Sequence, residues 1–240
     1  MTEPNGLTEV LSLAMRSQDA ERYLVVGELN RRKIKHLYHF THIDNLESIL
    51  RFGLRPKTIL NHETISFVET DPDRLDEITQ SVSFSLEYPN EWLLKSKIKT
   101  FGNKFVMLQL PASLLLTHPF LAFPSNAAGG VFREHRISNP SEYIGLRGIQ
   151  NMFLSPHVRN LNKLDSNQPT DIQAEVLLLS PVGVEHVKTI HVPENVDSVV
   201  NFSILFPKVD FHSSCSCDFF QPYVQKPYDH RRFNVSWRVM

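Results

Sequence analysis

Residues 39–54, HFTHIDNLESILRFGL, join a strand-like run to a run with helical spacing. Leu37 and the aromatic residues beside it favour an extended strand, whereas Leu46, Ile49 and Leu50 fall at the i, i+3, i+4 spacing of one helix face. Thr41 or Asp44 is placed to cap that helix, and Gly53 is placed to end it. The stretch therefore predicts a strand that ends in His and Thr and leads directly into a short helix.

The polar residues of this stretch have the chemistry of a binding site. His39 and Thr41 can each donate and accept hydrogen bonds, so at a strand end they can hold an amide and a ribose. A structural interpretation fits the same residues, with His39 a hydrogen-bonded core histidine and Thr41 a helix cap. The sequence of this stretch alone leaves both interpretations open.

Length and composition indicate one folded domain without a strong charge. The chain has 240 residues, 41% of them hydrophobic, and can bury a full core, so we expect a single domain over residues 1–240. Lys and Arg number 25 against 26 Asp and Glu, and this balance neither demands nor excludes nucleic acid. Basic residues cluster at 31–36 and at 230–232, where they could contact a phosphate backbone or form solvated surface.

The sequence also bears on location and on metal binding. It has no apolar run near the roughly 20 residues that span a bilayer, and its first residues lack the pattern of a signal peptide, so we expect a cytoplasmic protein. Cys215 and Cys217 follow His212, but three ligands in so short a span fall short of a structural zinc site. We therefore predict reduced thiols and no metal.

The pattern along the chain predicts an α+β fold. Strands are expected at 81–86, 105–110, 174–179 and 187–192, a helical lead-in at 1–30 with a polar break at 16–19, and a helical hairpin at 138–165. Residues 55–80 and 124–130 look like loops, and residues 194–240 like an irregular extension. The irregular connections favour two short, packed antiparallel sheets with flanking helices over βαβ winding. There is no GxGxxG or GxxxxGK[ST] motif for a nucleotide.

Two charged residues are candidates for chemistry. Glu175 begins an apolar strand, and a carboxylate there is costly unless it faces a cleft, a partner or solvent. Arg74 stands among aspartates ahead of the strand at 81–86, where its guanidinium could bind a pyrophosphate or form surface salt bridges. Ser83 and Ser85 share one face of that strand and could line a pocket.

Three segments of the chain resemble the DarT family of toxins, which move ADP-ribose from NAD onto bases of DNA. They are YHFTHIDNLESIL at 38–50, NAA at 126–128 and QAEVLLL at 173–179, within a likeness over roughly residues 37–190. The resemblance implies an ADP-ribosyltransferase core with NAD as co-substrate. It implies that Glu175 and Arg74 are catalytic and that NAD is bound by His39, Thr41, Asn45, Ser83 and Arg74.

The resemblance also implies a substrate and a partner. After the strand at 81–86 many thymidine-modifying relatives have an aromatic residue and Asn-Pro-Arg, whereas this chain continues Ser85-Leu86-Glu87-Tyr88-Pro89-Asn90, closer to the branch linked with guanine. We therefore expect a base of single-stranded DNA, guanine, as acceptor, and a DarG-like antitoxin with a macrodomain or related hydrolase as partner.

Two alternatives remain open at this stage. In the first, the acceptor is RNA or protein, since residues that bind NAD say little about the target. In the second, the chain is a non-catalytic module that stacks nucleic-acid bases on the aromatic residues of its C-terminal part, Phe219, Phe220, Tyr223 and Tyr228.

Overall fold

A computed structural model describes residues 6–71, 76–193 and 199–213 of the chain. The strands are β1 (His36–His42), β2 (Val82–Leu86), β3 (Phe105–Pro111), β4 (Phe120–Phe123), β5 (Glu175–Leu178), β6 (Thr189–Val192) and β7 (Asp210–Ser213). The helices are α1 (Gly6–Arg32), α2 (Leu46–Phe52), α3 (Lys57–His62), α4 (Glu91–Phe101), α5 (Gly130–Ser138), α6 (Gly145–Asn151), α7 (Pro156–Leu161) and α8 (Val199–Leu205). This mixture confirms the predicted α+β class.

The strands form one sheet in the order β4-β5-β2-β1-β3-β6-β7. It has two halves, because β1 and β2 at its centre pair only at Leu37–Leu86 and Tyr38–Ser85. The two sheets expected from the sequence correspond to these halves, which the short β1–β2 seam joins. One detail of the expectation is wrong: β6 and β7 run parallel, while the other pairs are antiparallel.

Hydrophobic residues cover both faces of the central strand β3. Val106, Leu108 and Leu110 belong to the largest core cluster, which includes residues of α1, α2 and α6. Phe105 and Met107 point to the opposite face and pack with α4 in a smaller cluster. Because successive side chains of a strand point to opposite faces, a strand this apolar requires layers on both sides. Helices therefore pack on both faces of this half.

The N-terminal helix differs from the sequence prediction. The expected polar break at 16–19 does not interrupt α1, which is one helix of 27 residues. Arg16 and Asp19 are exposed there, while apolar residues before and after them are buried, among them Val10, Ala14 and Leu29. A helix that lies on a core needs polar residues on its outer face, so a polar stretch there does not end it.

Two further helices were not predicted from the sequence. Asn90 caps α4, its Oδ1 accepting a hydrogen bond from the Leu93 N–H at 3.0 Å. Helix α5 begins at Gly130, within a Gly-Gly pair that sequence reasoning assigned to a loop. Its inner face buries Phe132 and Arg136, and an arginine at the second position conceals the apolar spacing that identifies a helix.

The C-terminal part is more regular than expected where the structure describes it. Residues 199–213 contain α8 and β7, and β7 pairs with β6 at the edge of the sheet. The cysteines at 215 and 217, the basic residues at 230–232 and the aromatic residues at 219–228 lie outside the described residues. Among the helices that are described, none is long and apolar enough to cross a membrane.

The junction at 39–54 is close to the prediction. Strand β1 passes through a 3₁₀ turn, Ile43–Asn45, into α2, and Gly53 ends that helix at φ 79°. A Cβ on Gly53 would lie 2.3 Å from the carbonyl oxygen of Val182, so the close approach requires glycine. Neither Thr41 nor Asp44 caps α2: its N-cap residue, Asn45, makes no side-chain capping bond. The preceding 3₁₀ turn is capped by His42, whose Nδ1 accepts the Asp44 N–H at 3.3 Å.

Candidate active site

The main cavity lies where β1 and β2 diverge. It has a volume of about 400 Å³, within the range of small-molecule sites. His39 and Thr41 of β1, Ser83 of β2 and Glu175 of β5 all line it. Residues from distant parts of the sequence therefore meet here because their strands are neighbours in the sheet.

His39 bridges the two strands just beyond their last paired residues. Its Nδ1 lies 2.8 Å from the carbonyl oxygen of Ser83. A carbonyl only accepts, so Nδ1 carries the proton, and in the neutral ring Nε2 is then the acceptor nitrogen. The ring also tilts against Phe84, with 5.6 Å between ring centroids. These contacts fix the tautomer and the orientation of the imidazole.

Asn45 connects the strand end to the wall of the cavity. Its Nδ2 donates to Thr41 Oγ1 and to the Val68 carbonyl, both at 3.0 Å, and its Oδ1 accepts the Val68 N–H at 2.6 Å. Both ends of the amide are thus engaged within the chain. Val68 lies in the irregular segment after α3, which lines the cavity over residues 67–71. Asn45 therefore holds this wall segment in place.

Two lysine side chains bind the same wall segment, and an arginine binds the residue that follows α3. Arg55 forms an ion pair with Glu63, and Lys57 with Glu69. Lys97 of α4 donates to the Thr70 carbonyl. All three cations line the cavity, together with the carboxylates of Glu69, Asp71, Asp76 and Glu175. Sequence reasoning missed them because Arg55 and Lys57 lie far in the sequence from Lys97.

Glu175 is the first residue of β5. Its Oε1 accepts the backbone N–H of Ala127 at 2.5 Å. The loop that donates this bond is itself ordered by Asn126, whose Oδ1 accepts the Ala128 N–H at 2.8 Å. The NAA segment found in the sequence thus fixes the direction of the carboxylate, a backbone contact that side-chain chemistry could not reveal.

The two serines of β2 differ in their contacts. Ser83 lies at the cavity and offers its carbonyl to His39. Ser85 is buried, and its Oγ accepts the Asn90 N–H at 3.1 Å, which ties the end of β2 to the start of α4. Both residues line the cavity. Ser83 is thus the better placed of the two to contact a ligand.

Arg74 lies outside the described residues. The described residues nearest to it in sequence, Asp71 and Asp76, both line the cavity. Glu77, which follows Asp76, has a left-handed backbone at φ 60°, and its carboxylate contacts Arg136 of α5 at 3.2 Å. A corner of the chain beside the cavity is therefore attached to α5.

Arg136 was not a candidate from the sequence. Its side chain is fully buried, and its Nε and Nη1 have no hydrogen-bond partner among the described residues. Burial lowers the pKa of its guanidinium, opposed by the charges of Glu77 and Asp76. A buried cation with two unmatched donors costs stability. The described chain contains no cluster of three His, Cys, Asp or Glu residues that could hold a metal.

Comparison with known proteins identifies relatives of the chain. The sequence model of one family, described as DarT, ssDNA thymidine ADP-ribosyltransferase, matches residues 38–205. No curated protein sequence matches. A solved structure of Thermosipho africanus DarTG in complex with ADP-ribose matches with a TM-score of 0.51 and 17% identity, over 78% of this chain and 51% of that chain.

Two further solved structures are of Thermus sp. 2.9 DarT. The complex with NAD+ has a TM-score of 0.46 and 18% identity, over 74% of this chain and 93% of that chain. The complex with ADP-ribosylated ssDNA has a TM-score of 0.47 and 18% identity, over 74% and 92%. The chain spans about half the length of the Thermosipho protein, and that likeness concerns the fold.

Proposed function

The chain belongs to the DarT family, and from this premise we propose that it transfers ADP-ribose from NAD onto a base of single-stranded DNA. The observation that carries the proposal is the meeting of His39, Thr41, Ser83 and Glu175 around one cavity. In this proposal β1 and β2 hold the nicotinamide end of NAD, and β5 supplies the carboxylate that acts on it.

The residues around the cavity fit NAD chemically. His39, with its tautomer set by the Ser83 carbonyl, and the Thr41 hydroxyl provide hydrogen bonds for the amide and the ribose. Arg55, Lys57 and Lys97 can bind the diphosphate by exchanging their present partners, Glu63, Glu69 and the Thr70 carbonyl, for its oxygens. We expect Arg74, from the adjoining segment, to assist. We expect Asn45, which lines the cavity, to bind NAD and also to position the wall segment through its bonds to Val68 and Thr41.

Glu175 carries the chemistry in this proposal. As the bond between nicotinamide and the ribose breaks, positive charge develops on the sugar, and a fixed carboxylate beside it stabilises that charge. The same carboxylate can accept the proton that the attacking base releases once it bonds to the ribose carbon. Nicotinamide leaves with the electrons of the broken bond. The hydrogen bond from Ala127 keeps the carboxylate in place throughout.

We propose guanine as the acceptor base, although the family description names thymidine. The support is the sequence at the end of β2 and after it. Many thymidine-modifying relatives have an aromatic residue and Asn-Pro-Arg there, and this chain has Ser85-Leu86-Glu87-Tyr88-Pro89-Asn90 instead. There Glu87 accepts the backbone N–H groups of Lys35 and His36 at 2.6 and 3.0 Å, and Asn90 caps α4. This segment therefore has a defined shape of its own beside the cavity.

The toxin role belongs to the same proposal. ADP-ribose on DNA bases blocks copying of the template, so the activity would arrest the growth of the cell that makes it, in the cytoplasm where NAD and DNA are both present. The partner we propose is a DarG-like antitoxin that removes the mark. Expression of the wild type should stop bacterial growth, whereas expression of Glu175→Gln to the same level should not.

A label-transfer experiment tests the acceptor. Biotinylated NAD is offered to the protein with single-stranded DNA, duplex DNA, RNA and protein in separate reactions, and each is repeated with Glu175→Gln. The proposal expects label on single-stranded DNA that depends on Glu175. Label on RNA or protein alone would show that DNA is not the acceptor. DNA binding without NAD consumption would contradict the proposal that the protein is an enzyme.

A further inference from the structure

An irregular stretch between α7 and β5, residues 165–174, leads the chain to Glu175, and we call it the pre-β5 segment. Thr170 ties it to the turn after α6: its N–H donates to the Met152 carbonyl at 2.8 Å and its hydroxyl to the Leu154 carbonyl at 2.7 Å. The segment continues directly into β5, whose first residue lines the main cavity. Its position therefore determines the shape of the chain beside the Glu175 carboxylate.

Arg159 of α7 binds the pre-β5 segment at three points. Its Nη1 donates to the Gln168 carbonyl at 2.6 Å and to the Thr170 hydroxyl at 3.2 Å. Its Nη2 donates to the Asp165 carbonyl at 2.7 Å. A guanidinium is planar and holds its donors in a fixed fork. The three bonds together therefore fix the path of the backbone between Asp165 and Thr170.

A second arginine reaches the same segment from α1. Arg32 Nη1 donates to the Ser166 carbonyl at 3.1 Å, and the Ser166 hydroxyl donates to the Arg32 carbonyl at 3.3 Å. Arg32 Nε donates to the buried Glu28 carboxylate at 2.5 Å. The Cζ atoms of Arg32 and Arg159 lie 3.8 and 5.3 Å from the centroid of the Phe153 ring. One buried aromatic ring thus orients both guanidiniums, and we call the pair the arginine clamp.

The charges of the arginine clamp make it costly. Burial lowers the pKa of the Arg159 guanidinium, and the nearby charge of Arg32 lowers it further. The three acceptors of Arg159 are neutral groups, and moving a cation from water to neutral groups costs free energy. Glu28 supplies one carboxylate for two arginines of α1, Arg31 and Arg32. The clamp therefore contributes less to stability than to a fixed position of the pre-β5 segment.

Both arginines are engaged within the chain. Nη1 and Nη2 of Arg159 bind the pre-β5 segment, and the Arg32 side chain is 14% exposed. A DNA phosphate would have to displace these internal bonds to contact either one. Arg32 also precedes residues 38–205, the part of the chain that the family model matches. The clamp therefore joins α1, from outside that part, to the segment that leads to Glu175.

We infer that Arg159 and Arg32 are positioning residues for the transfer reaction: they hold the pre-β5 segment where it guides the acceptor base to the ribose beside Glu175. The inference rests on the proposed function, since it assumes a DNA acceptor. The residues that line the main cavity, where NAD is proposed to bind, include neither arginine. Loss of the clamp should therefore impair the use of DNA and leave the use of NAD unchanged.

Steady-state kinetics with a single-stranded oligonucleotide and NAD tests the inference. Arg159→Met keeps an apolar stem on Phe153 without the donors, and should raise the KM for DNA about tenfold at an unchanged KM for NAD. Arg32→Met should raise it about threefold. The double variant should resemble Arg159→Met, because both residues hold one segment. A smaller amount of folded enzyme would lower the rate but would not change either KM.

Salt dependence separates positioning from direct contact with DNA. Loss of a cation that binds a phosphate of single-stranded DNA lowers the slope of log affinity against log salt by about 0.7. Arg159→Met should keep the wild-type slope. Arg159→Lys keeps the charge, but its compact ammonium cannot reach three acceptors, so its KM for DNA should lie between those of the wild type and Arg159→Met.

Arg31→Met is the matched control. Arg31 binds the same Glu28 through two hydrogen bonds, at 2.8 and 2.6 Å, and its side chain is 61% exposed, so this variant should keep the wild-type KM for DNA. A wild-type KM for DNA in both Arg159→Met and Arg159→Lys, a shallower salt slope, or an equal rise in both KM values would overturn the inference. If Arg159→Met does not fold, Arg159→Lys and Arg32→Met provide the same test. Absence of transfer by the wild type to any oligonucleotide would instead reject the proposed function.

Discussion

The two edges of β1 are used in opposite ways. On one edge β1 pairs with β3 at every residue from His36 to His42. On the other edge it pairs with β2 at only two residues. Beyond them a side chain, His39, contacts β2 through the Ser83 carbonyl. The paired edge holds the sheet together, and the open edge leaves space for a ligand between two strands that remain rigid.

This difference shows how one strand serves stability and function together. A polar group buried without a partner costs about 1 to 3 kcal/mol, so strands separate inside a protein only where side chains or a ligand take over their hydrogen bonds. His39 does so at the seam. The comparison predicts that changes at the open edge alter catalysis at little cost in stability, and that changes at the paired edge do the reverse.

Glu175→Gln at the open edge should have the largest effect. The amide keeps the shape of the side chain but lacks its charge and its basicity, so transfer should fall by orders of magnitude, about 3 kcal/mol or more in barrier. NAD affinity and melting temperature should remain close to wild type. Single-turnover rates and calorimetric NAD binding measure the two. Near-normal transfer would remove Glu175 from the mechanism.

Met107→Ala should give the converse result at the paired edge. Met107 lies opposite Phe40 on β1, is fully buried and packs with Phe105 and Leu94. The cavity left behind should lower the free energy of unfolding by about 2 to 5 kcal/mol, measured by chemical denaturation. Below its melting temperature the variant should keep the wild-type KM for NAD. A large rise in that KM would contradict the separation of the two edges.

Arg136→Met tests a buried charge beside the open edge. Its guanidinium has two unmatched donors, and its ion-pair partner, Glu77, is 61% exposed, so an apolar side chain of similar length should not lower stability and could raise it by about 1 kcal/mol. Transfer should fall several-fold, because the corner at Asp76 and Glu77 loses its attachment to α5. Denaturation curves measure the stability of the variant and kinetic assays its transfer rate, with Arg136→Lys as the conservative control. Loss of stability with normal transfer would make Arg136 structural only.

His39→Ala should raise the KM for NAD about tenfold, the worth of one or two hydrogen bonds, and should lower the melting temperature by a few degrees, because the Ser83 carbonyl loses its partner. His36→Gln on the same strand is the matched control, because His36 does not line the cavity. Steady-state kinetics at varied NAD measures the difference. Equal KM values for the two variants would argue that His39 only bridges the strands.

The smallest effect concerns pH at the paired side of the sheet. Burial, and then the neighbouring His212, lowers the pKa of His191 on β6, so the folded protein prefers the neutral ring. This contribution to stability is complete above the unfolded pKa and is lost as the pH falls through the folded value. The melting temperature of His191→Gln should therefore fall less between pH 7 and pH 5 than that of the wild type. His157→Gln, at an exposed position, should follow the wild type.

The sequence predicts the parts of this fold that depend on local pattern. Strands at 82–86, 105–111 and 175–178 follow from alternation and apolar runs, and the junction at 39–54 from its spacing and Gly53. The continuity of α1 and the presence of α5 could not be predicted in the same way. Tertiary packing determines whether each of these helices forms. In α1 a polar stretch lies on the outer face, and in α5 a buried arginine lies on the inner face.

The candidate site likewise has one part that the sequence predicts and another that it does not. Side chains with evident chemistry, His39, Thr41, Ser83 and Glu175, can be chosen from sequence and resemblance, and the structure brings them to one cavity. The N–H of Ala127, the engagement of Asn45 with Val68 and the cations around the cavity depend on contacts between distant segments. Such contacts leave no pattern in a single sequence.

The central claim is that Glu175, at the open edge, directs ADP-ribose from NAD onto a DNA base. The most direct measurement incubates wild type and Glu175→Gln with NAD and oligonucleotides that contain all four bases, digests the DNA, and analyses the nucleosides by mass spectrometry. We predict an ADP-ribosyl adduct of guanosine with the wild type and none with Glu175→Gln. An adduct on thymidine would change the proposed acceptor base and leave the rest of the account intact. No adduct on any base, or equal adduct from both proteins, would contradict the account.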